Sequence, residues 1–145
     1  MTDQFTQKER SVIMSRIRGK DTAPEKLIRG LLRAQGYRFS LYSKRLPGCP
    51  DIVLSKRRRV VFIHGCFWHG HKGCRRASLP STNKRFWIRK ITGNVARDVR
   101  VRSEIRKLGW KSLVIWQCQI KKRKMLERRL EHFLLQKTRE RRVRA

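Results

Sequence analysis

Apolar positions recur along this chain with two different spacings, which together predict a fold of helices and strands. Helical spacing of apolar residues predicts four helices, at residues 7–18, 22–36, 83–108 and 121–145. The second helix is expected to begin with a capping box at Thr22 and Glu25 and to end at Gly36. The third is expected to break near Gly93.

Alternating or β-branched apolar runs predict strands at residues 37–41, 52–54, 60–63 and 113–116, the middle two as a hairpin. This order of elements predicts an α/β sandwich whose mixed central sheet is flanked by helices. The chain shows no repeat and no Gly/Ser-rich linker. We therefore expect one domain over 1–145, with an N-terminal helical segment at 1–20 and a basic C-terminal helix or tail at 119–145.

The charge of the chain points to its partner. Lysine and arginine number 39 against 10 acidic residues, which gives a net charge of +29. A polyanion would relieve the resulting repulsion, so nucleic acid is the predicted partner. No run of about 20 apolar residues is present to span a bilayer. The polar N-terminus lacks the apolar region of a secretory signal, so we expect a cytoplasmic protein with reduced thiols.

One carboxylate, Asp51, stands alone among these cations and opens an apolar run. Phosphodiester hydrolysis commonly uses Mg²⁺, which takes oxygen ligands and often only one or two protein carboxylates. Across the predicted hairpin Asp51 would lie near His64, a layout that resembles the PD-(D/E)xK nuclease fold. The main-chain carbonyl of Ile63 is then a candidate second ligand. The alternative is that Asp51 only caps a turn after Pro50.

A cluster of cysteine and histidine follows the hairpin. Cys66, His71 and Cys74 lie on one glycine-containing loop, and Cys118 follows the last predicted strand. Three thiolates and one imidazole would make a closed, structural zinc site. Cys49 competes with Cys118 as the fourth ligand, because it too is near the loop in sequence. The alternative is a set of ordinary buried cysteines and exposed histidines.

Aromatic residues stand among the cations on either side of this cluster. Phe67 and Trp68 lie in the polar loop, and Trp87 lies in a basic helix. Such residues are suited to stacking on bases or to wedging between base pairs. Trp87 could instead belong to the core, and for Met14 and Ile17 near the N-terminus spacing alone favours packing against the domain.

These motifs together resemble one family, the very-short-patch repair (Vsr) endonucleases of bacteria. The resemblance runs from about Lys8 to Cys118, and its motifs are MSRIRGKDTAPE, LPGCPDIVL, VVFIHGCFWHGH, NVARD and GWKSLVIWQC. It implies a Mg²⁺-dependent enzyme that nicks double-stranded DNA 5′ of the thymine in a thymine–guanine mismatch. Such mismatches arise when 5-methylcytosine is deaminated.

The resemblance also implies roles for single residues. Asp51 and the Ile63 carbonyl would bind the catalytic Mg²⁺. Protons, water and phosphate would be handled by His64 and His69, and water molecules of the ion would be held by Glu25 and Asp98. The structural zinc would be bound by Cys66, His71, Cys74 and Cys118, which displaces Cys49. The residues implied to insert into the duplex are Phe67, Trp68 and Trp87 from one groove and Met14 and Ile17 from the other.

Two further hypotheses belong to other classes. A related nuclease of restriction-like specificity would cut both strands of fully paired DNA. A non-enzymatic zinc-containing module would bind DNA with strong salt dependence and would not cut it. For the mismatch endonuclease that the resemblance implies, the predicted partner is duplex DNA with a thymine–guanine mismatch, and other mismatch-repair proteins are further candidates. We expect a monomer.

Overall fold

A four-stranded sheet lies at the centre of residues 22–136, the part of the chain that this computed structural model describes. In chain order the elements are α1 (Ala23–Ala34), β1 (Ser40–Leu41), β2 (Ile52–Leu54), β3 (Arg59–His64), α2 (Lys84–Lys107), β4 (Lys111–Trp116) and α3 (Arg123–Leu135). Strands β1, β2 and β3 pair antiparallel in sequence order, and β4 pairs with β3 in parallel. The predicted mixed sheet and its β2–β3 hairpin are therefore confirmed.

Helices cover both faces of the sheet, which explains why the central strands are apolar on both sides. On one face, Ile52, Leu54 and Val61 form a buried cluster with residues of α1 and α3. On the other face, a second cluster brings α2 against the sheet through Val53, Val60, Phe62, Val114 and Ile105. Because side chains alternate along β3, His64 shares the α2 face with Phe62.

Helix α1 begins and ends close to the predicted residues. The Thr22 hydroxyl accepts a hydrogen bond from the Glu25 N–H at 3.4 Å. At the other end Gly36 has a φ of +82°, and the Tyr37 N–H donates to the Leu32 carbonyl at 3.0 Å. This is the left-handed termination that glycine permits, so the predicted end of the helix is confirmed.

One prediction about a single element is wrong, and another is confirmed only in part. Helix α2 runs without a break through Gly93, because one exposed glycine costs a helix only about 1 kcal/mol, and buried Trp87, Ile91 and Ile105 hold α2 on both sides of it. The strand predicted over 37–41 is reduced to Ser40–Leu41. Strand β2 is only three residues long and offers no longer partner.

Some predictions fall on residues outside the described part of the chain. They concern the N-terminal segment 1–20, with Met14 and Ile17, and the last residues of the basic C-terminal segment. Among residues 22–136, no helix has the length and apolar character needed to cross a membrane.

Candidate active site and metal centre

Asp51 lies where the pairing of β2 with β3 stops. The last pair is Ile52 with Val61, and one more step along the hydrogen-bonded ladder would place Pro50, which has no N–H, opposite Ile63. The Ile63 N–H instead donates to Asp51 Oδ2 at 2.7 Å. Since the N–H and C=O of a strand residue point to the same edge, the Ile63 carbonyl faces the Asp51 side. Two oxygen groups thus meet at one edge of the sheet.

This edge opens on a cleft of about 600 Å³ between the sheet and α2. Of the predicted catalytic residues, the cleft is lined by Asp51, His64, His69 and Asp98, together with Ile63. Glu25 does not line it. The cations on its walls are Lys44, Arg97 and Arg102. Sequence reasoning did not single out these three, because they are hidden among the 39 lysines and arginines of the chain.

The two histidines of the cleft are stacked on each other. Their ring centroids lie 3.8 Å apart with an angle of 5° between the planes. His69 Nδ1 lies 2.7 Å from Asp98 Oδ2, which links the loop to α2. The edge of Trp116 packs against His64 at 5.3 Å, and His64 Nδ1 is buried without a hydrogen-bond partner within residues 22–136. The four side chains therefore form one ordered group.

Burial shifts the pKa values of the acids and of His64 in the cleft in opposite directions. Burial raises the pKa of Asp51 to about 6; the Ile63 N–H opposes this shift, and the charge of Glu25 adds to it. Burial, followed by the charge of His69, lowers the pKa of His64 to about 3. Burial is the largest single effect and raises the pKa of Asp98, but the hydrogen bond from His69 and the charges of nearby basic groups together outweigh it and hold the pKa below its usual value. At neutral pH both acids are ionised and His64 is neutral.

Glu25 lies behind Asp51 in a small polar group that the sequence did not reveal. Arg29 Nη2 donates to Glu25 Oε2 at 2.9 Å and to the Tyr42 hydroxyl at 2.6 Å. The Tyr42 hydroxyl in turn donates to Glu25 Oε2. Glutamate and arginine at spacing four on a helix are common on solvated surfaces, so the sequence contained no signal for a buried pair here.

The predicted metal ligands Cys66, His71, Cys74 and Cys118 lie together. One donor atom from each lies within 4.8 Å of the donors of the other three. The parallel register explains the long-range member: β3 and β4 end at the pair His64 and Trp116, and one cysteine follows each of these by two residues. Cys49 is exposed and is not in the group, so the structure selects Cys118 over it.

This donor set fits a tetrahedral metal ion. Zinc–sulfur bonds of about 2.3 Å and zinc–nitrogen bonds of about 2.0 Å place donors roughly 3.5–3.8 Å apart. Cys118 Sγ and His71 Nδ1 are already 3.4 Å apart, and the imidazole is stacked on Trp116 at 4.1 Å. Burial raises the pKa of the Cys66 thiol to about 11, so binding an ion would remove its proton.

The aromatic residues of the loop and of α2 form a contiguous cluster. Phe67 lies 5.1 Å from Trp68 and 5.2 Å from Trp87, each at a steep angle. Trp87 is only 5% exposed and its indole N–H has no partner among the described residues, whereas Phe86, 5.1 Å from it, is 56% exposed. Trp87 is thus the buried base of the cluster. Phe86 is an exposed member that sequence reasoning missed.

Comparison with known proteins places this site in a family. A model described as DNA mismatch endonuclease Vsr matches residues 2–76. The type II nicking enzyme V.XorIIP of Xanthomonas oryzae pv. oryzae is 47% identical over 92% of this chain and 98% of its own. V.NmeAIP of Neisseria meningitidis, also a type II nicking enzyme, is 46% identical over 92% and 95%. The DNA mismatch endonuclease Vsr of Escherichia coli is 42% identical over 87% and 80%.

The fold, the cleft and these relatives define the class: the chain is a DNA nicking endonuclease, a hydrolase. Within that class it belongs to the DNA mismatch endonuclease Vsr family, as the motifs predicted. The hypothesis of a non-enzymatic DNA-binding module is therefore dropped.

Proposed function

We propose that this chain is a Mg²⁺-dependent endonuclease that nicks duplex DNA 5′ of the thymine in a thymine–guanine mismatch left by deamination of 5-methylcytosine. One observation carries the proposal: Asp51 and Ile63 present oxygen groups to the same cleft that holds His64, His69 and Asp98. The Escherichia coli relative is named a DNA mismatch endonuclease, which supports a mismatched duplex as the substrate. The Asp51 hairpin supports a PD-(D/E)xK core.

The residues present fit a hard divalent cation at the sheet edge. Asp51 and the Ile63 carbonyl would hold Mg²⁺ directly, with Glu25 and Asp98 oriented towards its water molecules. When bound, the ion polarises the scissile phosphate and makes a coordinated water more acidic. Burial raises the pKa of Asp51 more than the Ile63 N–H and the charge of His69 lower it, and a bound cation would offset this cost of burying the carboxylate.

Proton transfer is assigned to His69. Because Asp98 is ionised and can only accept hydrogen bonds, His69 Nδ1 must donate to it, and Nε2 is left to accept or return a proton. His64 has a pKa of about 3, so at neutral pH it is a neutral imidazole and not the imidazolium that a general acid requires. Its stacked ring instead keeps His69 in place.

The DNA is bound by charge and by aromatic insertion. Lys44, Arg97 and Arg102 are placed to contact phosphates on either side of the cleft. Phe67 and Trp68 would enter the duplex with Trp87 at their base, and Met14 and Ile17 would enter from the opposite groove. A mispaired step costs less to unstack than a paired one, so insertion favours the mismatch.

The loop after β3 that carries Phe67 and Trp68 is called the aromatic loop. A structural zinc at Cys66, His71, Cys74 and Cys118 would hold the aromatic loop against the end of β4. Four protein side chains would fill the coordination positions of such an ion, so it would have no position for water and no part in the chemistry. We further infer a single-domain monomer of the bacterial cytoplasm that acts alongside other mismatch-repair proteins.

A second specificity is favoured by one observation. The relatives at 47% and 46% identity are named type II nicking enzymes, without reference to a mismatch. The same site in this chain would then nick a paired recognition sequence. Under this alternative the hydrolytic groups keep the roles assigned above, and the two proposals differ only in the DNA that the protein recognises.

The test is nicking of end-labelled duplexes with Mg²⁺. One set carries a thymine–guanine mismatch in varied cytosine-methylation contexts, and a second set is fully paired. We expect a single cut 5′ of the mismatched thymine that Asp51→Ala abolishes and that Glu131→Ala, at an exposed acid of α3 outside the cleft, leaves unchanged. Nicks only in paired DNA would select the second specificity, and activity in Asp51→Ala would refute the assignment of the site.

A further inference from the structure

Two members of the polar group behind Asp51, Arg29 and Tyr42, take no part in the steps above. Glu25 and Arg29 are each only 7% exposed, and Arg29 donates to both Glu25 and Tyr42. A buried ion pair is a poor way to gain stability, because the loss of hydration offsets most of its attraction. The position of the pair next to the cleft points instead to a role in the reaction.

Tyr42 connects this group to the backbone of Asp51. Its hydroxyl donates to Glu25 Oε2, and its main-chain N–H donates to the Asp51 carbonyl at 3.4 Å. Its φ of +50° lies in the left-handed region that few residues other than glycine adopt. A strained residue that contacts two acids of one site is a common sign that the geometry of the site depends on it.

We propose that Tyr42, supported by Arg29, is a positioning residue that fixes the Glu25 carboxylate relative to Asp51 so that both act on the same divalent cation. This inference rests on the proposed Mg²⁺-dependent function. The hydroxyl of Tyr42 and the guanidinium of Arg29 reach Glu25 Oε2 from different elements, the loop before β2 and helix α1. Two donors on one oxygen restrict rotation of the carboxylate in a way that either alone would not.

The consequence is an effect on metal affinity. Groups that orient metal-binding carboxylates typically change affinity or activity by about 10–100-fold when removed. Loss of the hydroxyl should therefore raise the Mg²⁺ concentration needed for half-maximal nicking. The rate at saturating Mg²⁺ should change much less, because the groups that move protons, His69 and Asp98, are untouched.

The experiment compares Tyr42→Phe with Tyr37→Phe. The first keeps the ring, over which Arg29 lies at 5.7 Å, and removes only the hydroxyl. The second removes a hydroxyl from a tyrosine that packs against the buried cluster of α1 and α3 and is not among the residues that line the cleft. We expect Tyr42→Phe to raise the half-maximal Mg²⁺ concentration about tenfold and to weaken Mn²⁺ binding without DNA, measured by electron paramagnetic resonance, by a similar factor. Tyr37→Phe should match the parent protein in both.

Arg29→Lys gives an independent second measurement. It keeps the positive charge but loses the fork that contacts both partners, so we expect a smaller rise in the same direction. Equal Mg²⁺ dependence and Mn²⁺ binding in the parent, Tyr42→Phe and Arg29→Lys would overturn the positioning role. The proposed function fails separately, if the parent nicks without divalent metal or Asp51→Ala stays active.

Discussion

At the scale of single residues, the site depends on acids and bases that folding moves away from their usual pKa values. Burial disfavours the charged form of both Asp51 and His64, yet the effects on stability have opposite pH dependence. For Asp51 the folded pKa of about 6 exceeds the usual 3.8, so stability is lost as pH rises between these values. For His64 the folded pKa is below 6.5, so stability is lost as pH falls from 6.5 towards 3.

Replacing Asp51 by Asn should stabilise the protein when no divalent cation is present. The amide keeps the shape and an oxygen for the Ile63 N–H but carries no charge to bury. A shift of about two pKa units corresponds to at most about 3 kcal/mol, so we expect a gain of about 1–3 kcal/mol in unfolding free energy at pH 8. Urea unfolding checks this, and the gain should disappear at pH 4.

A gain for Asp51→Asn that persisted unchanged at pH 4 would show that charge burial is not its cause. Glu131→Gln is the matched control, because that acid is exposed and is not among the residues that line the cleft. It should leave stability unchanged at both pH values.

Asp98→Asn should slow nicking strongly. An asparagine side chain can also donate a hydrogen bond, so it no longer forces His69 to carry its proton on Nδ1. Loss of general acid–base catalysis costs about 100-fold or more, and we expect that loss in the single-turnover rate at saturating Mg²⁺. Glu104→Gln, at an exposed acid on the same helix, is the control, and an unimpaired Asp98→Asn would remove His69 from the proton-transfer role.

At the scale of elements, helix α2 shows that a local signal can be outweighed by packing. Gly93 predicts a break, yet α2 continues from Lys84 to Lys107 because Trp87, Ile91 and Ile105 are buried on both sides of the glycine. By contrast, Gly36 and Gly109 follow helices with φ values of +82° and +85°, where a glycine is needed. The backbone conformation therefore decides what each glycine does.

Gly93→Ala should stabilise the protein by about 0.5–1 kcal/mol, because alanine loses less backbone entropy in a helix. A Cβ atom at Gly93 meets nothing within 4 Å, and the same holds for Gly30 in α1, so Gly30→Ala should behave alike. Gly109→Ala should instead destabilise, since its φ of +85° is strained for alanine. Thermal unfolding distinguishes these outcomes, and a loss of stability in Gly93→Ala would contradict a regular helix there.

At the scale of the whole molecule, a long-range contact joins the aromatic loop to the sheet. Cys66, His71 and Cys74 come from one loop and Cys118 from beyond β4, so a metal ion there closes a large part of the chain. Binding of such an ion contributes directly to the free energy of folding. The high net charge of +29 opposes folding when no DNA is bound, which makes this contribution more important.

Cys66→Ser, or removal of the metal by a chelator, should lower the melting temperature by at least 10 °C or unfold the protein, because several kcal/mol of metal binding are lost. Cys49→Ser is the matched control, since this thiol is exposed and outside the group. Calorimetry with metal analysis tests both variants. A Cys66→Ser protein that keeps its bound zinc and its melting temperature would show that the four residues are not the ligands.

Local patterns in the sequence determined which elements form and which family the chain belongs to. They also located the motifs around Asp51, His64 and the cysteine–histidine loop, because helix periodicity, strand composition and short motifs depend on neighbouring residues. Only the tertiary structure decided the pairs between distant segments. The parallel register of β3 with β4 brings Cys118 to Cys66, and α2 brings Asp98 to His69. The contacts of Arg29 and Tyr42 with Glu25 likewise depend on packing, which no local pattern of residues encodes.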